Sequence, residues 1–110
     1  MFTRFNHEGF KKLIPGIYMK VVGHGKNTIT VLFKLEAGHS LPRHNHIYEQ
    51  TGTLISGKMA LTIGETRYDV SKGDAWTIPP DIPHQAEVLE DCMVLEVFSP
   101  VREDYLKLAN

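Results

Sequence analysis

Disulfides, membrane spans and a strong charge of either sign are all missing from this sequence. Its 110 residues hold one cysteine, Cys92, so no intrachain disulfide can staple the fold. No stretch approaches the roughly 20 consecutive apolar residues that a membrane-spanning helix needs. Lys and Arg number 12 against 13 Asp and Glu, a formal net charge of −1. That balance lacks the concentrated positive field on which binding to phosphate backbones relies, so nucleic acid is not expected as a partner. Met1 to Glu8 contains no apolar run resembling a secretion signal, and the expected compartment is a reducing cytoplasm. What is present suits one globular domain spanning 1–110, with 42% hydrophobic and 23% charged residues. A chain of this length buries roughly two-thirds of its extended surface on folding, so it needs no metal to hold it together. Any metal it binds is expected to serve function.

Short runs rich in β-branched and aromatic residues recur about every ten positions, punctuated by Gly, Pro and Asp, which is an all-β rhythm. The expected strands are Ile17 to Val22, Thr28 to Leu35, Gln50 to Ser56, Lys58 to Ile63, Thr66 to Val70, Ala75 to Ile78, His84 to Val88 and Met93 to Phe98. Gly57 reads as the turn of a hairpin, with Met59, Leu61 and Ile63 on one face by the strand period of two. Glu90 and Asp91 read as a break between the last two strands. So many short antiparallel segments favour a sandwich or barrel that leaves few edges open. Only the last residues look helical: Ser99 can cap, Pro100 suits the first helical position, and Glu103 and Asp104 face the positive end of the helix dipole. Tyr105, Leu106 and Leu108 are expected to dock this helix. In the arm 1–16, Phe2, Phe5 and Phe10 carry more aromatic surface than a loose tail exposes, so it should pack on its own barrel or on a partner subunit.

The chemistry concentrates where three of the six histidines crowd together, at His39, His44 and His46. On a strand, His44 and His46 point the same way, placing two imidazoles side by side as a divalent metal requires. Gln50 follows four residues later and His84 lies in a later strand, so a barrel can bring all four groups to one interior point. Three nitrogen donors and an amide oxygen suit Zn, Ni, Mn, Fe or Co and leave positions open for water or substrate. Glu49 could replace Gln50 if the strand slips, but alternation puts Gln50 on the histidine face. His7, His24 and His39 lack such a frame and read as surface residues. In Met93 to Phe98, alternation groups Val94, Glu96 and Phe98 on one face. If that face looks inward, Glu96 is a desolvated carboxylate and a candidate acid or base; if outward, it merely solubilises the strand. Cys92 has no neighbouring base in sequence, so it is not expected to act as a nucleophile.

These residues resemble the cupins, small jelly-roll β-barrels with a central metal, over about 28–100. The first cupin motif runs from Gly38 through His44, His46 and Gln50 to Gly57, with Gln50 where Glu is usual. The second runs from Gly73 through Pro79 and Asp81 to His84, with Asp81 where Gly is usual and Val88 where Asn is usual. Asp tolerates the left-handed backbone that Gly would supply. Gln50 keeps a carbonyl oxygen for the metal but removes a negative charge, which favours an anionic substrate. The closing segment from Glu96 to Leu106 is similar to that of the pectin-degradation cupins, which open the ring of unsaturated uronates. The similarity continues through His46 to Gln50, Ile78 to His84 and Ala86 to Asp91.

That resemblance implies a divalent transition metal held by His44, His46, His84 and Gln50. It implies an acidic residue for proton transfer at Glu96, where Asp is usual, a Phe that packs on the sugar at Phe98, and an Arg that pairs with the uronate carboxylate at Arg102. Without it, Arg102 reads equally as a surface partner of Glu103 or Asp104, and Phe98 as core. Trp76 reads as barrel lining, and Tyr48, Tyr68 and Arg43 are assigned no role. The implied partners are a small anionic substrate and a second copy in a homodimer. Two rival functions remain in the same barrel: an iron-dependent dioxygenase, and a small-molecule or sugar-binding module without catalysis.

Overall fold

The computed structural model describes residues 2–109; Met1 and Asn110, the ends of the expected domain, lie outside them. Eight strands and one short helix follow in order among the described residues: β1 (Lys11–Ile14), β2 (Ile17–His24), β3 (Ile29–Leu35), β4 (Ser40–His44), β5 (Glu49–Ile63), β6 (Thr66–Ser71), β7 (Ala75–Ile78), β8 (His84–Ser99) and α1 (Glu103–Leu108). All pairings are antiparallel, in the order β1-β2-β3-β8-β5-β6, with β4 added to β8 and β7 to β5.

Two long strands make this a jelly roll. The first half of β5 pairs with the second half of β8, Gln50 facing Phe98, and its second half pairs with the first half of β8, Ile63 facing His84. Each half takes a different outer neighbour: β3 flanks the end of β8 and β4 flanks its beginning, while β7 and β6 flank the corresponding halves of β5. The expected hairpin at Gly57 is therefore absent. Gly57 sits inside β5 at φ 96°, where the ladder to β8 shifts register between Ser56 and Lys58 and again before Met59. A bulge bends a strand without reversing it, and glycine supplies the positive φ without steric cost. Glu90 and Asp91 likewise lie within β8, opposite that bulge, and do not separate two strands.

Alternation sets which side chains enter. Along β3, Ile29, Val31, Phe33 and Leu35 are buried; along β8, Cys92, Val94, Glu96 and Phe98 are buried. Glu96 thus points into the barrel. Strand β1, inside the arm, was not expected, and it pairs with β2. Phe10 is half-buried beneath the ammonium groups of Lys20 and Lys34, whereas Phe2 and Phe5 stay exposed.

The helix departs from expectation too. Ser99 ends β8 and Pro100 precedes the helix; the N-cap is Arg102, extended at φ −79° and ψ 101°, with no side-chain capping bond. The chain bends at Pro100, and Val101 packs against the core before the helix begins. Tyr105 and Leu106 dock on the core, but Leu108 remains exposed. No helix among the described residues is long and apolar enough to cross a membrane.

Candidate metal centre and active site

His44 ends β4, His46 lies just beyond it, and His84 opens β8. His46 is therefore not on the strand that the His-x-His spacing suggested; the chain turns after β4, yet one ring nitrogen from each of the three histidines lies within 4.8 Å of the others. The loop before β8 is anchored to this turn, since the backbone N–H of Asp81 donates to His46 O at 2.8 Å. Asp81 adopts φ 65°, the left-handed conformation expected of it.

Each histidine spends its Nδ1 on a carbonyl two residues away: His44 on Pro42 at 2.7 Å, His46 on Tyr48 at 3.1 Å and His84 on Ile82 at 2.8 Å. With the proton on Nδ1 to satisfy a carbonyl, Nε2 keeps its lone pair, the arrangement that orients imidazoles as metal ligands. Burial, then the positive charge of Arg102, lowers the His46 pKa, and burial above all pushes His84 down to about 4. Both are neutral near pH 7, so no proton competes with a metal for them.

Two observations fit a cation at this point. The buried Nε2 of His84 has no hydrogen-bond partner, an omission that costs roughly 1–3 kcal/mol unless something accepts its lone pair. Gln50 Oε1 lies 3.0 Å from His46 Nε2. With His46 neutral and protonated on Nδ1, both atoms are acceptors, and a shared cation makes their proximity favourable. The Gln50 orientation is set from behind, because its Nε2 donates to Glu96 Oε2 at 2.9 Å. Glu49 next door is exposed and plays no part in the cluster.

Glu96 is only 8% exposed. Burial raises its pKa to about 8, against the hydrogen bond from Gln50, the Trp76 indole N–H beside it and the charge of Arg102, which all favour the anion. The carboxylate lies over Gly52, which pairs across the sheet with both Glu96 and Trp76. A Cβ at Gly52 would come within 2.6 Å of the Trp76 indole nitrogen and 2.7 Å of Glu96 Oε2, so only glycine leaves room for the two together. The buried Trp76 Nε1 makes no hydrogen bond of good geometry, so the indole lies beside the carboxylate without being bonded to it. Trp76, read from sequence as barrel lining, does line the cavity, whereas Gly52 is a site residue that the sequence did not reveal, since only cross-strand register brings it to Glu96.

The closing segment completes one wall. Arg102 and Phe98 line the same cavity as the histidines, Gln50 and Glu96. The Arg102 guanidinium stacks on Tyr105 at 3.7 Å and lies near Phe98 and Tyr48, at 4.9 and 5.0 Å from their ring centres. It also donates to Asp104, from Nε at 3.3 Å and from Nη2 at 2.9 Å. Burial works to raise the Asp104 carboxyl, but the hydrogen bonds and charge of Arg102 more than reverse this and hold it low. Arg102 therefore belongs to the cavity and to an ion pair at once. Tyr48, given no role from sequence, flanks both His46 and Arg102. Arg43 points away to Glu65 and Tyr68 is exposed. Cys92 is buried, donates to the carbonyls of Lys58 and Glu90, and has its pKa raised by burial, none of which suits a nucleophile.

A jelly-roll barrel with three imidazoles and an amide converging inside it defines a class, and the chain belongs to the cupin family, whose cupin domain matches residues 31–98. Among solved structures it is similar to KdgF from Halomonas sp., at TM-score 0.90 and 29% identity, covering 96% of this chain and 97% of that one. In sequence it is 29% identical over 86 residues to the uncharacterized protein SCO3923 of Streptomyces coelicolor, 77% of this chain and 81% of that protein. An RmlC-like cupin from Shewanella frigidimarina shares the fold at TM-score 0.87 and 20% identity, each chain covered to 94%. A salicylate 1,2-dioxygenase from Pseudoaminobacter salicylatoxidans shares it at TM-score 0.74 and 17% identity, over 80% of this chain and 28% of that one.

Proposed function

We propose that this cupin opens the ring of a 4,5-unsaturated uronate monosaccharide, giving the linear keto-aldehyde. The observation that carries the reading is Glu96, a buried carboxyl with a pKa raised to about 8, bonded to Gln50 of the histidine cluster in a cavity that also holds Arg102. The likeness to KdgF over nearly the whole chain, and the closing phrase shared with the pectin-degradation cupins, support the substrate class.

The reaction is an isomerisation. The anomeric hydroxyl loses its proton, the bond from C1 to the ring oxygen breaks to leave an aldehyde and an enol, and a proton added at C4 turns the enol into a ketone. One proton leaves and one arrives, with no change in oxidation state. His44, His46, His84 and Gln50 would hold the divalent metal, which when bound supplies a Lewis acid for substrate oxygen. Glu96 moves the proton: burial lifts its carboxyl well above the usual carboxylate range, to about 8 in the metal-free protein, so it can hold a proton that an exposed carboxylate would lose. Phe98 packs on the sugar ring and Arg102 binds the carboxylate.

The test is to follow unsaturated galacturonate by NMR with metal-loaded protein. Ring opening should accelerate, and Glu96→Gln should lower kcat by roughly 10²–10⁴-fold while the bound metal persists. Loss of metal from the variant would make Glu96 a structural support instead. Bound iron with oxygen uptake, and no ring opening, would favour a dioxygenase; ligand binding without any turnover would favour a binding module.

A further inference from the structure

Arg102 is a long, flexible cation held almost out of water, its side chain 13% exposed among Tyr48, Phe98 and Tyr105. A guanidinium in that setting is stable only when paired, and an unpaired one gains by swinging back into solvent. The first turn of α1 provides the pairing. Asp104 takes one hydrogen from Nε and one from Nη2, fixing the guanidinium in its own plane, while the ring of Tyr105 covers one face. Of the five donor hydrogens of arginine, two are thus used. Of the three that remain, one on Nη1 and the outer one on Nη2 lie side by side and form the end edge, which matches the two oxygens of a carboxylate. No partner for that edge occurs among the described residues.

We propose that Asp104 is a positioning residue which, with Tyr105 as a plate, clamps Arg102 so that its free edge selects a ligand bearing a carboxylate. The inference deepens the uronate reading and rests on it for the identity of the ligand. Asp104 does not compete with the ligand in this arrangement, because it occupies the other edge of the guanidinium. Selectivity then comes from pre-organisation: a neutral sugar leaves the two oriented donors of that edge unmatched, and a carboxylate meets both without having to order the side chain.

The probes are D-galacturonate and D-galactose, titrated into the metal-loaded protein. Binding is read by calorimetry and by the ¹⁵N NMR signal of Arg102 Nε–H, assigned by its loss in Arg102→Lys. The wild type should show a discrete Nε–H signal that shifts with galacturonate and not with galactose. In Asp104→Ala that signal should weaken through solvent exchange before any ligand is added, and the dissociation constant for galacturonate should rise roughly tenfold. Asp104→Asn, which keeps an acceptor for Nε–H but not the charge, should recover part of both effects. Tighter galacturonate binding in either variant would overturn the clamp and make Asp104 a competitor. Unchanged affinity with an unchanged signal, or a wild type whose Arg102 ignores galacturonate, would also overturn it. A wild type that binds galacturonate at Arg102 yet never opens the unsaturated uronate would sink the reaction and leave the clamp standing.

Discussion

At the scale of single residues, the site is defined by where protons are held. Each ligand-type histidine gives its Nδ1 proton to a backbone carbonyl, leaving Nε2 for a metal, and Glu96 keeps its own proton because burial outweighs the donors around it. A raised carboxyl pKa means the folded state binds that proton more tightly than the unfolded state does. In metal-free protein, the Glu96 contribution to stability should therefore be full below about 4.5 and lost as pH climbs through about 8. Denaturant titrations of Glu96→Gln should lack this loss, which is on the order of a few kcal/mol across the window. His84 has the opposite sign: its lowered pKa gives stability above 6.5 that fades as pH falls toward about 4. A wild-type profile unchanged by Glu96→Gln would show that Glu96 ionises as freely when folded as when unfolded.

The elements show what alternation and motif spacing can reveal. The strand at β3 was legible from its β-branched and aromatic residues, while its inward set of Ile29, Val31, Phe33 and Leu35 emerges only once the strand is placed against β8. The grouping of Glu96 with Val94 and Phe98 was legible too, although strand pattern alone left open whether that face looked inward. Gly57 was misread because two alternating runs joined by a glycine look the same whether the chain reverses or merely bends. The choice belongs to β8, whose Asp91 and Cys92 crowd against Gly57, and that contact is remote in sequence. A Cβ at Gly57 would overlap the Asp91 carbonyl at a backbone φ of 96°, so Gly57→Ala should cost roughly 2 kcal/mol or more. Thermal melting should register this as a drop of about 10 °C. Gly23→Ala, at a position with open space and no positive φ, should melt close to the wild type. Equal melting of the two variants would mean that the bulge relaxes.

For the molecule as a whole, the two long strands gather groups distant in sequence into one cavity: His44 ends β4 and His46 follows it, Gln50 lies on β5, His84 and Glu96 lie on β8, and Arg102 leads into α1. The histidines and Gln50 were legible because a metal demands donors at recognisable spacing. Gly52 was not, since its place beside Glu96 depends on register across the sheet. Trp76 was legible only as barrel lining, Tyr105 only as a docking residue and Asp104 only as a surface partner of Arg102, because where the guanidinium comes to rest is not written in local sequence. If the histidine cluster holds a metal, the ion binds the folded chain and not the unfolded one, so stability depends on metal concentration. Nickel or zinc at 100 times its dissociation constant should stabilise the protein by about 2.7 kcal/mol, and chelation should reverse the gain. His84→Ala should abolish the response; a metal-independent melting temperature in the wild type would refute a site there. The chemistry turns on Glu96 carrying the proton in the opening of an unsaturated uronate. The most direct test is to run the reaction in D₂O and read the product by NMR. With Glu96 as the proton carrier, opening should be rapid with deuterium at one of the two C4 positions, and Glu96→Gln should lose that selectivity along with the rate. Equal labelling of both positions, or a rate no faster than without protein, would contradict that role.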